Sequence, residues 1–178
     1  MSVIETARMI LTPATTADGA DFIALEHDPE VMRYLNGGKP VDRSLTDPNI
    51  GFFMPTGAED NLWTARDKDD GSFIGWFVLW PEDETLAELG YRLRSSAWGR
   101  GLATEAARAL VDWGFANRAY RSVIATTMTV NRGSRGVMEK IGMTLLRTDM
   151  QEWAEPIPGS EQGEVWYELT RADWAARR

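Results

Sequence analysis

Ser96-Ala97-Trp98-Gly99-Arg100-Gly101-Leu102-Ala103-Thr104-Glu105-Ala106-Ala107 sets two glycines around an arginine, just ahead of a helical pattern. The strand-like run Leu86–Leu93 (LAELGYRL) comes immediately before it. A strand, a glycine turn and a helix start together make an anion site. The glycines clear side chains away so that several amides can aim at one ligand. The helix start adds N–H donors without intrahelical partners and the positive end of its dipole. The plainer reading is an ordinary turn between strand and helix.

Three phosphate ligands compete for the turn. A nucleoside-triphosphate loop requires G-x-x-x-x-G-K-[ST], and the chain has no Gly-Lys-Ser or Gly-Lys-Thr. A dinucleotide fold is approached by Gly99–Ala103, but it wants a carboxylate after the next strand. That strand, residues 122–130 (SVIATTMTV), contains no acid and runs into Asn131. The third ligand is an acyl-coenzyme A, with its pyrophosphate on the amides of residues 99–104 and its pantetheine arm along the preceding strand.

Charge favours a polyanion here. The chain is −8 overall, from 19 basic and 27 acidic residues. Residues 92–147 hold ten basic and three acidic side chains, so this stretch is +7 and the remainder −15. Such a split can offer a basic pocket to an anionic cofactor and an acidic surface to a cationic co-substrate.

Composition removes other classes. With no cysteine, disulfides, thiolate zinc sites and cysteine acyl-enzymes are excluded. The single histidine, His27, makes a histidine metal site or catalytic histidine a poor expectation, and no metal is expected. Asp67–Asp70 reads as a turn, not a calcium loop. The longest apolar run, residues 73–80 (FIGWFVLW), is too short to span a bilayer. No signal-peptide core opens the sequence, so a cytoplasmic protein with no membrane partner is expected. Net acidity argues against nucleic acid as a partner.

The pattern predicts a single α+β domain over residues 1–178, with a central mixed, twisted sheet of about seven strands flanked by helices. Strands are predicted at residues 8–11, 62–66, 73–80, 86–93, 122–130, 143–149 and 164–169. Helices are predicted from Thr16 or Asp18 to His27, from Pro29 to Leu35, over residues 104–117 and over Arg132–Ile141. In the third of these, Leu102, Ala106, Leu110 and Trp113 share a stripe. Trp63, Trp76 and Trp80 read as core or interface. Residues 36–61, rich in Gly, Pro and Asp with apolar islands at Leu45 and Phe52-Phe53-Met54, read as a substrate-facing excursion.

Four blocks, in order, resemble the GCN5-related N-acetyltransferase (GNAT) family, in its ribosomal-protein-alanine N-acetyltransferase branch. They are Thr6–Pro13 (TARMILTP), Asp28–Tyr34 (DPEVMRY), Trp98–Ala103 (WGRGLA), and Asn131–Ser134 followed by Glu139–Met143 (EKIGM). Trp98 stands where the usual cofactor motif has Gln or Arg. The resemblance implies acetyl transfer from acetyl-CoA to a primary amine, by direct attack in a ternary complex. The acceptor is expected to be a small molecule or a protein N-terminal α-amine, and the protein a monomer or homodimer.

The resemblance also implies roles. Trp98, Gly99, Arg100, Gly101, Ala103 and Thr104 would hold the cofactor's diphosphate. Leu93 and Arg94 would meet its acyl end through a main-chain donor at a bulge. Asn131 would hold the pantetheine amide, and Glu88 would act as base. The tyrosine that many members carry seven residues after that Asn is replaced by Met138, so Ser134 is expected to serve the leaving thiolate. The alternative reading is a catalytically weak acyl-CoA-binding sensor.

Overall fold

The computed structural model describes residues 2–42, 55 and 60–177. Its strands are β1 Ile4–Glu5, β2 Met9–Pro13, β3 Leu62–Asp67, β4 Phe73–Pro81, β5 Leu86–Leu93, β6 Ser122–Met128, β7 Thr144–Asp149 and β8 Glu164–Thr170. Its α-helices are α1 Gly19–His27, α2 Pro29–Met32, α3 Leu102–Asn117, α4 Arg132–Ile141 and α5 Arg171–Ala175. The apolar islands at Leu45 and Phe52–Met54 lie outside the described residues.

All eight strands form one mixed sheet, ordered β1-β2-β3-β4-β5-β6-β8-β7. Every neighbouring pair is antiparallel except β5 with β6, which α3 connects as a parallel crossover. The α+β expectation holds, with eight strands among the described residues where about seven were expected. The extra strand, β1, is two residues long and too short to show an alternation. The short C-terminal α5 also carries no periodicity to read, although Thr170 caps it by accepting from Asp173 N–H.

β4 is apolar on both faces because helices cover both. On one side Phe77 and Leu79 join a core with Leu102, Ala106, Leu110 and Phe115 of α3. On the other, Trp76 and Val78 join Phe22 and Leu25 of α1, and the Phe22 and Trp76 rings lie 6.2 Å apart. α3 approaches β4 so closely that a Cβ on Gly114 would sit 2.4 Å from Leu79 Cδ2. Trp63 and Trp76 are core residues, whereas Trp80 remains 46% exposed.

Local chemistry explains the helix starts. Asp28 accepts from Glu30 N–H and starts α2 at Pro29, as the sequence predicts. Neither Thr16 nor Asp18 caps α1 with its side chain. The Asp18 carboxylate instead accepts from Thr15 N–H and pairs with Arg66 at 2.9 Å. α3 starts two residues before the predicted point, because Gly101 in the left-handed region lets the turn end directly at Leu102.

Gly75 faces Leu93 across β4 and β5, where a Cβ would lie 2.3 Å from the Arg92 carbonyl oxygen and 2.8 Å from Leu93 Cα. Backbone cannot yield as a flexible side-chain tip can. Gly75→Ala is expected to lower stability by roughly 1–3 kcal/mol, as overpacking does. Urea unfolding monitored by circular dichroism would measure the loss.

Candidate active site

The sheet opens between its two parallel strands. β5 pairs with β6 only at Leu86↔Ser122, Ala87↔Val123 and Glu88↔Ile124, yet β5 continues to Leu93 and β6 to Met128. β4 follows β5 without interruption from Pro81↔Ala87 to Gly75↔Leu93. The bulge expected near Leu93 is therefore absent, and donors come free because β6 diverges. Arg94 N–H donates to Ile74 O at 3.0 Å. Strand alternation then turns the main-chain groups of Leu89, Tyr91 and Leu93 toward the gap. Leu93 O accepts from Trp98 Nε1 at 3.0 Å.

Arg94, expected at the cofactor's acyl end, points away from the gap. Its amide is held within the sheet, and its guanidinium donates to Ser72 Oγ at 3.1 Å, beside the β3–β4 turn. Neither group faces the gap.

Beyond β5, residues 95–97 make one helical turn, and Gly99 (φ 72°) and Gly101 (φ 78°) take left-handed conformations. Gly101 places no side chain over the start of α3, where Leu102, Ala103 and Thr104 present the first helical amides. Trp98 and Arg100 are exposed around the turn. Arg8 clamps it from the far edge of the sheet. Its Nη1 donates to Arg100 O at 2.9 Å, and its Nε and backbone N–H reach the two oxygens of Glu105 at 2.7 and 2.8 Å. Sequence reading missed Arg8 as a site residue, since nothing local marks a partner 97 positions away.

The basic stretch is not one patch. Arg92 is largely buried, 3.5 Å from Glu26 and stacked on Trp76. Arg135 donates to Tyr167 Oη and Thr129 O. Arg108 and Lys140 do stand near the turn, lining with Gly101 and Thr104 a cavity of about 410 Å³ between α3 and α4.

Glu88 and Ser134 flank the gap on opposite faces. Glu88 sits at its apex, in the last residue pair between β5 and β6, and its Oε1 accepts from Thr126 Oγ1 at 3.0 Å. Burial pushes its carboxyl above the usual carboxylate range; the Thr126 hydrogen bond opposes this, and Glu82 adds to it. Glu164 is raised too, by burial first and then by the charges of Glu88 and Asp149. On the α4 side Asn131 caps the helix, its Oδ1 accepting from Ser134 N–H at 3.2 Å while its Nδ2 donates to Thr127 Oγ1. Ser134 Oγ lies 3.0 Å from Tyr91 Oη. Met138 is buried and offers no proton. Tyr91 went unnoticed in the sequence because an aromatic on a half-buried strand looks like core.

A strand-to-helix glycine turn thus lies beside a parallel pair that parts, with the Glu88 carboxyl at the apex. Residues 8–144 match the family model for the acetyltransferase (GNAT) domain. The chain belongs to the GNAT family. It is an acetyltransferase that uses acetyl-CoA.

An FsC-acetyl coenzyme A-N(2)-transacetylase of Aspergillus fumigatus is 33% identical over 96% of this chain and 77% of its own. Two solved structures share the fold. A ribosomal L7/L12 α-N-protein acetyltransferase, RimL, in complex with coenzyme A superposes with a TM-score of 0.77 at 16% identity. That match covers 97% of this chain and 99% of the other. Spermidine N-acetyltransferase from Vibrio cholerae, in complex with CoA and spermine, gives 0.72 at 14% identity, over 94% and 98%. Among the described residues, no helix is long and apolar enough to cross a membrane.

A carboxyl raised by burial binds more protons folded than unfolded. Its contribution to stability is present below its unfolded pKa and is lost as pH rises through the folded value. Ionised Glu88 is thus a stability cost at neutral pH. Glu88→Gln, whose amide oxygen still accepts from Thr126, is expected to melt no lower than wild type at pH 7 while turning over more slowly. A thermal melt and a thiol-release assay on one preparation would check both halves.

Proposed function

We propose that this GNAT acetyltransferase, a single acyltransferase domain over residues 1–178, acetylates a primary amine that attacks acetyl-CoA directly in a ternary complex. The observation that carries the reading is Glu88, a carboxylate with a raised pKa at the apex where β5 and β6 part. A base must lie close to the reacting amine and hold its proton near working pH.

The chain's own groups fit the cofactor. The amides around Gly99, Arg100, Gly101, Ala103 and Thr104 present donors to a diphosphate, with Trp98 at the rim. The gap-facing edge of β5 offers main-chain partners to an extended amide-bearing arm. Leu93 N–H is the donor for the thioester carbonyl, where charge develops during attack. Asn131 contributes from the other wall, within the limits its capping role sets. Glu88 takes the amine's proton, directly or through water. Ser134 Oγ donates a hydrogen bond to the departing thiolate.

Acceptor charge follows from the sheet face opposite α3 and α4. Beyond burial, the charges of Glu88 and Asp149 there raise the Glu164 carboxyl, while Arg147, paired with Asp149 at 2.9 Å, opposes them. This supports an acceptor with net positive charge, whether a small polyamine-like molecule or a protein N-terminus. The names of the relatives span both classes, an N(2)-transacetylase, an α-N-protein acetyltransferase and a spermidine acetyltransferase.

Gly101→Glu would bring a carboxylate among the phosphate-facing amides at a left-handed position. It is expected to weaken acetyl-CoA binding at least about 100-fold, a loss of roughly 2.7 kcal/mol. Calorimetric titration of both proteins would test this, and unchanged binding would remove the turn from the site. With binding established, an amine panel read by thiol release would identify the acceptor.

A further inference from the structure

Tyr91 packs half-buried beneath α4, yet the reaction sketched above gives it no task. Its ring packs 5.9 Å from Phe77, and its hydroxyl reaches two atoms of one residue, Ser134 Oγ at 3.0 Å and Ser134 O at 3.2 Å. Burial raises the phenol to about 12 against the opposing Ser134 hydrogen bond, so it stays protonated at working pH. A phenol carries one proton and two acceptor positions. It can donate to the Ser134 carbonyl while accepting from the Ser134 hydroxyl, or donate to that hydroxyl instead. The first arrangement keeps the serine proton pointed at Tyr91. The second releases it to point elsewhere.

We propose that Tyr91 is a positioning residue that steers the Ser134 hydroxyl. Its proton turns from the Ser134 carbonyl to Ser134 Oγ as the thiolate forms, which directs the serine proton at the sulfur. The inference rests on the reading of Ser134 as the group that serves the leaving thiolate. No proton changes owner. The thioester carbon–sulfur bond breaks, the electron pair stays on sulfur, and that charge is met by a serine O–H strengthened from behind. A hydroxyl that accepts one hydrogen bond donates a stronger one. A serine alone is a weak donor, and Tyr91 compensates from the strand for what Met138 cannot supply from the helix.

The test is a double-mutant cycle on kcat, with acetyl-CoA affinity measured alongside by calorimetry. Tyr91→Phe keeps the ring and removes the hydroxyl. It should lower kcat about tenfold, the worth of one good hydrogen bond, and leave acetyl-CoA affinity unchanged. In a Ser134→Ala background the same change should cost nothing further. Equal losses in both backgrounds would mean that Tyr91 acts by packing, and the proposal falls. A slow Ser134→Ala beside a normal Tyr91→Phe overturns this inference alone. A fully active Ser134→Ala overturns the thiolate role of Ser134 and this inference with it. Should the Phe variant fold poorly, 3-fluorotyrosine at position 91 keeps shape and hydroxyl. It must then retain kcat, and a tenfold loss there refutes the steering role.

Discussion

The proposed site depends on the early end of one ladder. β5 and β6 share three residue pairs and then separate, while β4 and β8 hold them in one sheet. Elsewhere, strand edges facing a neighbour spend their amides on each other. Here a stretch of β5 is left with donors aimed into a slot inside the sheet, with α3 and α4 over one of its faces. Exposing a strand edge at the rim invites aggregation. Placing it within the sheet confines access to a ligand narrow enough to enter.

The two faces of the slot have different characters. On the α3 and α4 side lie the glycine turn, the first amides of α3, the Asn131 cap and the Ser134–Tyr91 contact, all suited to an anionic ligand and its leaving group. The opposite face carries Glu88, Glu164 and Thr126, suited to an amine losing a proton. Because alternate residues of β5 point to opposite faces, Glu88 and Tyr91, three positions apart, serve the two sides from one strand. The burial that raises Glu88 destabilises the folded protein at neutral pH, a trade common at functional sites.

Much of this was legible in the sequence because it is local. The glycine turn, the amphipathic stripe of α3, the Asn131 cap and the uninterrupted apolar run of β4 each depend on neighbours within a few positions. Glu88 could be singled out from its strand and from family resemblance. Long-range features stayed hidden. The distribution of the arginines could not be read from their clustering in sequence, since Arg92 and Arg94 turn inward to Glu26, Trp76 and Ser72. Freed amides near Leu93 were expected from a bulge, a local device, but arise from the divergence of a strand some thirty residues further on. β1 was too short to leave a period.

The clamp of Arg8 on Glu105 and Arg100 gives the anion turn an unusual dependence. Its two sides come from opposite ends of a loop of nearly a hundred residues. Closing such a loop is entropically unfavourable until the intervening strands have paired. The turn thus reaches its final shape only when the first strands have docked at the far edge. If the turn holds the cofactor's diphosphate as proposed, affinity for acetyl-CoA would report on the docking of the β1–β2 edge, and a chain in which that edge is unpaired would capture it poorly.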